Sequence, residues 1–346
     1  MVSTTERATS GQGAGRESRA KRQVRIALAS GLLAVSCIGC GGRAVLGTEP
    51  MEGPPARHAI TEFALSQENS GPTGIAAGPD GNLWFTELTR NKIGRITPGG
   101  TIKEFAIPTW GSGPVGIAAG SDGNLWFTEF DVGNIGRITP GGKIEEFAIP
   151  TPGSRPADIA PGPDGNLWFT EAIGQIGRIT PGGEIEEFAI PTPSSYPTGI
   201  AAGPDGNVWF AEGLGNKIGR ITREGTIQEF AVPATGSAPW GIAVANGNLW
   251  FAELIGQIGR MTPGGAIQEF AFPTEQSSPF WMAAAADGNL WFTESTNEIG
   301  RITPFGTVQE FSIPTAKSKP CGIALGPDGN LWFTEQAGSK IGRIAP

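Results

Sequence analysis

The sequence predicts an all-β fold, a seven-bladed β-propeller of four-stranded antiparallel blades. The heptapeptide GNLWFTE recurs seven times, with small changes, between Gly81 and Glu335. Its tryptophans are 41 or 42 residues apart, a period typical of propeller blades. The 54 glycines and 29 prolines fall mostly at fixed offsets within the repeats, so they indicate turns rather than disorder.

Each repeat carries the signals of four strands, which the second repeat illustrates. The apolar run Pro114–Gly120 suits a crowded strand near the axis, and it leads into an Asp-Gly turn, which favours a hairpin. The aromatic and β-branched segment Leu125–Glu129 predicts the second strand. The alternating segment Asn134–Thr139 predicts the third. After a Pro-Gly-Gly turn, Lys143–Pro150 alternates again and predicts the outer strand.

The two ends of the repeat region predict how the ring closes. The last repeat stops at Ile341–Pro346 and lacks an outer strand. The segment Ile60–Leu65 matches the outer-strand pattern and precedes the first inner strand. We therefore expect the N-terminal strand to complete the seventh blade, because this pairs an edge that would otherwise stay open. We expect the closed ring to be a monomer.

The residues before the repeats differ in composition. A stretch rich in arginine and lysine precedes the apolar run Ile26–Ile38, a pattern typical of a secretory signal peptide and too short for a spanning helix. Residues 1–40 are therefore predicted to be a signal peptide or a lipoprotein leader, with Cys37 or Cys40 as the lipidated residue. Residues 41–59 are predicted to be a flexible tether.

The domain organisation and the charge limit the partners. Residues 60–346 form the predicted propeller, which would be extracytoplasmic: secreted, periplasmic or lipid-anchored at the cell envelope. The chain has 25 Lys and Arg against 33 Asp and Glu, a net charge of −8. An acidic protein is a poor partner for nucleic acid or for an anionic membrane surface. Membrane contact is therefore expected only through a lipid anchor.

The wording of the repeat, with GPDGNLWFTE, NKIGRITPGG and EFAIPT in succession, closely resembles the streptogramin B lyases, also called virginiamycin B lyases. The resemblance covers residues 60–346. It implies a seven-bladed propeller and the activity of a carbon–oxygen lyase that opens the cyclic ester of type B streptogramins with Mg²⁺. No other cofactor is indicated.

The site residues implied by this resemblance are mostly replaced. The family has catalytic histidines at the x position of a P-x-G-I motif in the last two blades, where this chain has Phe280 and Cys321. A glutamate two residues before the second histidine is Lys319 here, whereas a glutamate after the last WF strand remains as Glu335. The only histidine, His58, precedes the first strand.

Two hypotheses on function follow, and the first is a binding or interaction module. Trp240, Phe280 and Trp281 come from the fifth and sixth blades and predict an aromatic patch. Asp158 replaces a repeated glycine in the third blade. Such a site would bind a small molecule, a peptide or a glycan. Ordinary packing at the channel mouth is the alternative interpretation of these residues.

The second hypothesis is an enzyme, a lyase or hydrolase with a rewired site, so the sequence leaves open whether the chain is catalytic. The candidate catalytic residues are Glu335, Lys319 and Cys321, because a lysine of lowered pKa can act as a base and a thiolate as a nucleophile. The glutamates that end the WFTE strands could surround a cation, with Glu335 and Glu294 as metal ligands. Alternatively, a residue repeated in every blade maintains the blade.

Overall fold

The computed structural model describes Ile26–Ala29, Leu32–Val35 and residues 58–272, 274 and 277–346. The chain divides into two units, residues 1–46 and 47–346. In the first unit, strands β1 (Ile26–Ala29) and β2 (Leu32–Val35) pair in antiparallel fashion. The predicted lipidation at Cys37 or Cys40 and most of the tether lie outside the described residues. Within the described part of the chain, no helix is long and apolar enough to cross a membrane.

The second unit consists of seven antiparallel four-stranded sheets, which confirms the predicted fold class. Each sheet corresponds to one repeat, and each runs from an inner to an outer strand. The strands of blades 1 to 3 are β4 Pro72–Ala77, β5 Leu83–Glu87, β6 Lys92–Ile96 and β7 Ile102–Ala106; β8 Pro114–Ala119, β9 Leu125–Glu129, β10 Asn134–Ile138 and β11 Ile144–Ala148; and β12 Pro156–Pro161, β13 Leu167–Glu171, β14 Gln175–Ile179 and β15 Ile185–Ala189.

The remaining blades follow the same order, and the last one contains a strand from the start of the unit. The strands of blades 4 to 6 are β16 Pro197–Ala202, β17 Val208–Glu212, β18 Lys217–Ile221 and β19 Ile227–Ala231; β20 Pro239–Ala245, β21 Asn248–Glu253, β22 Gln257–Met261 and β23 Ile267–Ala271; and β24 Pro279–Ala284, β25 Leu290–Glu294, β26 Glu298–Ile302 and β27 Val308–Ser312. Blade 7 contains β28 Pro320–Leu325, β29 Leu331–Glu335, β30 Lys340–Ile344 and β3 Thr61–Ala64.

Strand β3 is the outer strand of blade 7, as the sequence predicted. It pairs in antiparallel fashion with β30, with Phe63 opposite Ile341. The Phe63 ring stacks on Trp332 at a centroid distance of 5.4 Å. Glu62 accepts hydrogen bonds from Thr315 N and from Lys340 Nζ, both at 2.9 Å. Strand β3 therefore completes the last blade with the same kinds of contact that the outer strand makes in the other blades.

The repeated tryptophans form the layers between blades. Trp84 is fully buried and packs with Ile117, Leu125 and Phe127 of the next blade. It also stacks on Phe105 of its own outer strand, at 5.5 Å. The other six are buried to the same degree: Trp126, Trp168, Trp209, Trp250, Trp291 and Trp332. Their repetition therefore reflects core packing, because every interface between blades needs one large apolar side chain.

Blades 5 and 6 differ from the others in a hydrogen bond that supports the tryptophan. In five blades the indole N–H donates to the aspartate of the Asp-Gly turn at 2.9–3.1 Å: Asp80, Asp122, Asp164, Asp205 and Asp328. Blade 5 has Asn246 at this position. Blade 6 keeps Asp287, but Ala285 replaces a glycine at which a Cβ would lie within 2.7 Å of both the indole and the aspartate. Trp250 and Trp291 consequently have no hydrogen-bond partner for Nε1 among the described residues.

Candidate functional site

The seven inner strands surround a central channel and are tied together by hydrogen bonds. Each contacts the inner strands of both neighbouring blades, including β28 with β4. In blade 1 the Thr86 hydroxyl accepts from Gly74 N (2.8 Å) and donates to the Val115 carbonyl of blade 2 (2.7 Å). Four other threonines bridge neighbouring blades in this way: Thr128, Thr170, Thr293 and Thr334. These bridges hold the backbones of neighbouring inner strands close together.

The bridge is changed in blades 4 and 5, where Ala211 and Ala252 replace the threonine. Between blades 4 and 5 the Thr198 hydroxyl donates instead to the Trp240 carbonyl at 3.1 Å. Between blades 5 and 6, Ala252 offers no hydroxyl. The aromatic residues Trp240 and Phe280 therefore stand at the part of the ring where the threonine bridges are replaced or missing.

The inner strands begin with a P-x-G-I motif, and its glycine has little free space around it. A Cβ at Gly74 would lie 2.3 Å from the Val115 carbonyl oxygen, and one at Gly322 would lie 2.4 Å from the Thr73 carbonyl oxygen. Five blades have glycine at this position, whereas blade 3 has Asp158 and blade 6 has Trp281. We call the face on which the inner strands begin the P-x-G-I face; it also carries the turns after the WFTE strands.

Asp158 and Trp281 line the same pocket of the channel. The other lining residues come from blades 1, 2 and 7: Thr73, Gly74, Ile75, Val115, Gly116, Ile117, Gly322 and Ile323. Asp158 is held in place because its Oδ2 accepts a hydrogen bond from Ile200 N of the next blade at 3.0 Å. Burial raises the pKa of Asp158 to about 7, although N–H groups of Ile200 and Ile159 act in the opposite direction. The pocket thus contains one carboxyl group that titrates near neutral pH and one indole.

The predicted aromatic patch is divided between two environments. Trp240 and Phe280 meet edge to face, with centroids 6.3 Å apart and an interplanar angle of 80°. Trp240 also packs on the apolar cluster between blades 5 and 6. Trp281 lies on the channel side against Cys321. The structure therefore brings Asp158 together with Trp281, and Trp240 together with Phe280.

The three candidate catalytic residues are neighbours along the backbone, but their side chains face different surroundings. Glu335 pairs with Pro320, the residue between Lys319 and Cys321. The Glu335 carboxyl is fully buried beside Glu62, whereas Lys319 is exposed. Within the described part of the chain, no hydrogen bond or ion pair joins any two of the three side chains. Burial raises the pKa of the Cys321 thiol to about 12, so the thiolate needed for nucleophilic attack is disfavoured at neutral pH.

The seven glutamates that end the WFTE strands lie inside their own blades instead of around one central ion. All seven are fully buried. Each is influenced by the glutamate of the outer strand of its blade, as Glu335 is by Glu62. Burial raises their pKa values, to about 7 for Glu87, about 9 for Glu171 and about 8 for Glu129, Glu212, Glu253, Glu294 and Glu335. This arrangement favours the interpretation that the repeated glutamate maintains the blade.

The residues at the position implied for Mg²⁺ do not fit this ion. The resemblance places a carboxylate where Lys319 stands, and an exposed ammonium group offers no oxygen ligand. The remaining carboxyl, Glu335, lies close to Glu62 and to the Lys340 ammonium, which already supplies a positive charge. The missing carboxylate and the ammonium already present both disfavour Mg²⁺ at this place.

Glu294, the second predicted metal ligand, belongs to a different group of carboxyls. One oxygen each of Glu294, Glu298 and Glu310 lies within 4.8 Å of the other two. Glu298 and Glu310 were not predicted as metal ligands from the sequence. Glu298 could have been recognised as unusual, because the same position in the other blades is lysine, asparagine or glutamine. Glu310 could not, since glutamate stands at this position in every blade.

The fold and these positions define a seven-bladed β-propeller with an altered channel mouth. The sequence profile of the virginiamycin B lyase family matches residues 55–254 and 202–346. The chain belongs to this family.

Several solved structures are similar over most of this chain. A streptogramin B lyase is 40% identical with a TM-score of 0.80, over 83% of this chain and 97% of that one. Virginiamycin B lyase from Staphylococcus aureus, including a catalytically inactive variant with quinupristin, gives 40% identity and a TM-score of 0.80 over 84% of this chain and 99% of its own. A virginiamycin B lyase of Saccharopolyspora erythraea is 49% identical over 41 residues, which span 12% of this chain and only 14% of that protein.

Proposed function

We propose that this chain is an exported, streptogramin-lyase-like propeller that acts as a binding or interaction module through its P-x-G-I face. One observation carries the proposal. The two glycine positions that depart from the repeat, Asp158 and Trp281, lie in different blades yet line one pocket. Concave sites with an aromatic surface and a few polar groups suit small molecules, peptides and glycans. The ligand is therefore a small molecule, a peptide or a glycan, and export rests on the basic and apolar leader.

The chemistry of the site supports binding more than elimination. Elimination needs a base with a pKa near the working pH, within reach of a carbon-bound proton. The positions that the family gives to histidine hold Phe280, which cannot accept a proton, and Cys321, whose thiol stays protonated at neutral pH. Lys319 replaces a family glutamate and is exposed to solvent.

The alternative is a virginiamycin B lyase-like carbon–oxygen lyase with a rewired site. Family membership favours it, and so does the similarity to a relative whose structure contains quinupristin. In this alternative Glu335 would be the base, because burial and the neighbouring Glu62 raise its pKa to about 8.

Incubation with quinupristin and Mg²⁺ separates the two functions. We expect no linearised product above the protein-free blank, because the positions that the family gives to histidine hold Phe280, which has no basic group, and Cys321, whose thiol stays protonated. Mass spectrometry of the reaction mixture measures the outcome. Turnover by the wild type that Glu335→Gln removes would establish the lyase and contradict the binding-only proposal.

Returning the two altered positions to glycine tests the binding site. Trp281→Gly and Asp158→Gly restore the residue of the other blades, so we expect folded proteins that bind at least about tenfold more weakly, the loss typical of one buried aromatic or charged contact. Calorimetric titration with quinupristin, then with panels of peptides and oligosaccharides, measures affinity. Phe305→Ala is the control, because Phe305 is 93% exposed in a turn on the opposite face. Unchanged affinity in both glycine variants, or no ligand in any panel, would refute the proposal.

A further inference from the structure

Each blade contains a pair of carboxyls, and three blades place a lysine next to it. The pair consists of the buried glutamate of the second strand and the glutamate of the outer strand. In blade 1 these are Glu87 and Glu104, and Lys92, the first residue of the third strand, lies opposite Glu87 in the sheet. Lys92 Nζ lies 2.7 Å from Glu104. Lys217 and Lys340 make the same contact in blades 4 and 7, at 3.2 and 2.9 Å. In these three blades a lysine ammonium therefore compensates the negative charge of the paired carboxyls.

Blade 6 has a third carboxyl where these blades have the ammonium. Glu298 begins the third strand and lies opposite Glu294. Glu310 of the outer strand completes the group. Three carboxyls whose oxygens lie within 4.8 Å of one another repel strongly when ionised, since no lysine stands at this position. Glu298 therefore places a negative charge at the position where blades 1, 4 and 7 have a positive one.

The Glu294 side chain points into this group, a feature that does not depend on how many charges the group carries. This side chain is 0% exposed, its Oε2 accepts a hydrogen bond from Ser277, and its Oε1 has no partner among the described residues. Oε1 points across the third strand, so that a Cβ at Gly300 would lie only 2.5 Å from it. At the same glycine of the other six blades, no carboxyl oxygen is among the three nearest atoms.

The direction of Oε1 leads to the third carboxyl. Gly300 pairs with Glu310, so the unpartnered Glu294 oxygen is aimed at the Glu310 side of the group. Glu310 Oε1 is also buried without a partner among the described residues. The remaining oxygens accept from hydroxyls: Ser277 donates to Glu294 Oε2, Thr274 to Glu310 Oε2 (2.5 Å), and Thr296 and Ser312 to Oε2 and Oε1 of Glu298 (3.2 and 3.4 Å). Two buried oxygens thus remain free to act as ligands at one place.

We propose that Glu294, Glu298 and Glu310 bind a divalent cation, Ca²⁺, which takes the place of the lysine ammonium of blades 1, 4 and 7. Ca²⁺ prefers oxygen ligands at about 2.3–2.6 Å, so two oxygens on opposite sides of it are about 4.6–5.2 Å apart. The three oxygens, all within 4.8 Å of one another, are close enough to share one such ion. Mg²⁺ usually keeps several waters and takes only one or two carboxylates, so a group of three carboxyls suits Ca²⁺ better. The site is separate from the channel pocket and does not depend on the proposed binding function.

Calcium titration of the full-length protein, measured by calorimetry at pH 8.5 with Tb³⁺ luminescence as a second probe, tests the site. We expect one equivalent of Ca²⁺ to bind and to raise the midpoint of thermal unfolding. Glu298→Lys, which restores the residue of blades 1, 4 and 7, is expected to remove this binding and to make the midpoint independent of Ca²⁺. Glu298→Gln provides a second variant with no new charge and is expected to weaken binding at least about tenfold.

A matched control removes a carboxyl from a blade that lacks the cluster. Glu269→Gln changes the outer-strand glutamate of blade 5, where Gln257 begins the third strand, and is expected to leave Ca²⁺ binding unchanged. The proposal is overturned if the wild type binds no Ca²⁺ at millimolar concentration. It is equally overturned if binding persists in both Glu298 variants, or if Glu269→Gln reduces it as much as they do.

Discussion

The propeller is expected to resist unfolding best in mildly acidic solution and to lose stability as the pH rises from about 5 to about 9. The cause is the set of seven buried glutamates, whose pKa values of about 7 to 9 exceed the ordinary value of 4.5. Above pH 4.5 the unfolded chain releases these protons while the folded chain retains them. Stability therefore falls until the pH passes the folded pKa values.

The expected loss is large because the groups act together. Each unit by which a pKa is raised corresponds to about 1.4 kcal/mol when the group is forced to ionise. Allowing for relaxation around the carboxyls, we expect the free energy of unfolding to fall by at least about 3–5 kcal/mol between pH 5 and pH 9. Denaturant unfolding followed by tryptophan fluorescence measures it. A stability that is flat or rises over this range would contradict the assignment.

Single substitutions separate the contributions of individual blades. Burial and Glu187 raise the pKa of Glu171 to about 9. The pKa of Glu87 reaches only about 7, because the Ser70 hydroxyl and the charges of Lys92 and Arg90 oppose the effect of burial. Glu171→Gln should therefore flatten the pH dependence more than Glu87→Gln.

Below about pH 4 a second set of carboxyls should limit stability. Burial raises the pKa of Asp80, but hydrogen bonds from Trp84 and Asn82 outweigh it, so the net pKa is lowered. Four other turn aspartates behave alike: Asp122, Asp164, Asp205 and Asp328. Their stabilising contribution is present above the unfolded pKa and is lost as the pH falls through the folded value. The optimum thus lies between these two groups of titrations.

Removing strand β3 is expected to have the second large effect, because this strand completes the blade at which the ring closes. Deletion of residues 1–66 removes the stack of Phe63 on Trp332 and the bonds of Glu62 to Thr315 and Lys340. It also leaves β30 with an unpaired edge, which promotes aggregation. We expect a loss of several kcal/mol, of which the half-buried Phe63 ring accounts for about 2–4 kcal/mol.

Two further variants provide the comparison for this deletion. Removing residues 1–57 keeps β3 and should leave the midpoint of denaturant unfolding unchanged. Moving residues 58–66 behind Pro346 through a short linker should restore the stability that the longer deletion removes, because the strand can then pair with β30 from the other terminus. If the longer deletion unfolds at the same denaturant concentration as the shorter one, β3 does not close the ring.

Strand order and ring closure were predictable because the local sequence of each repeat specifies its strands and turns. Alternation, Asp-Gly turns and Pro-Gly-Gly turns specify four strands in every copy, and the missing outer strand of the last copy matches Ile60–Leu65 at the start. The direction of the glutamates was not predictable. Residues at the end of a strand can face the channel or the outer strands, and only the packing of the blade shows that Glu335 lies beside Glu62.

By itself the sequence determined the number of blades, their strands and the positions at which one copy departs from the others. Only the tertiary structure decided which departures meet. Asp158 and Trp281 come from blades 3 and 6 yet line one pocket, and Glu298 joins Glu294 and Glu310 inside one blade. The physical reason is that strands and turns follow from local conformational preference, whereas contacts between distant positions follow from the curvature of the closed ring and from the direction in which each packed side chain points.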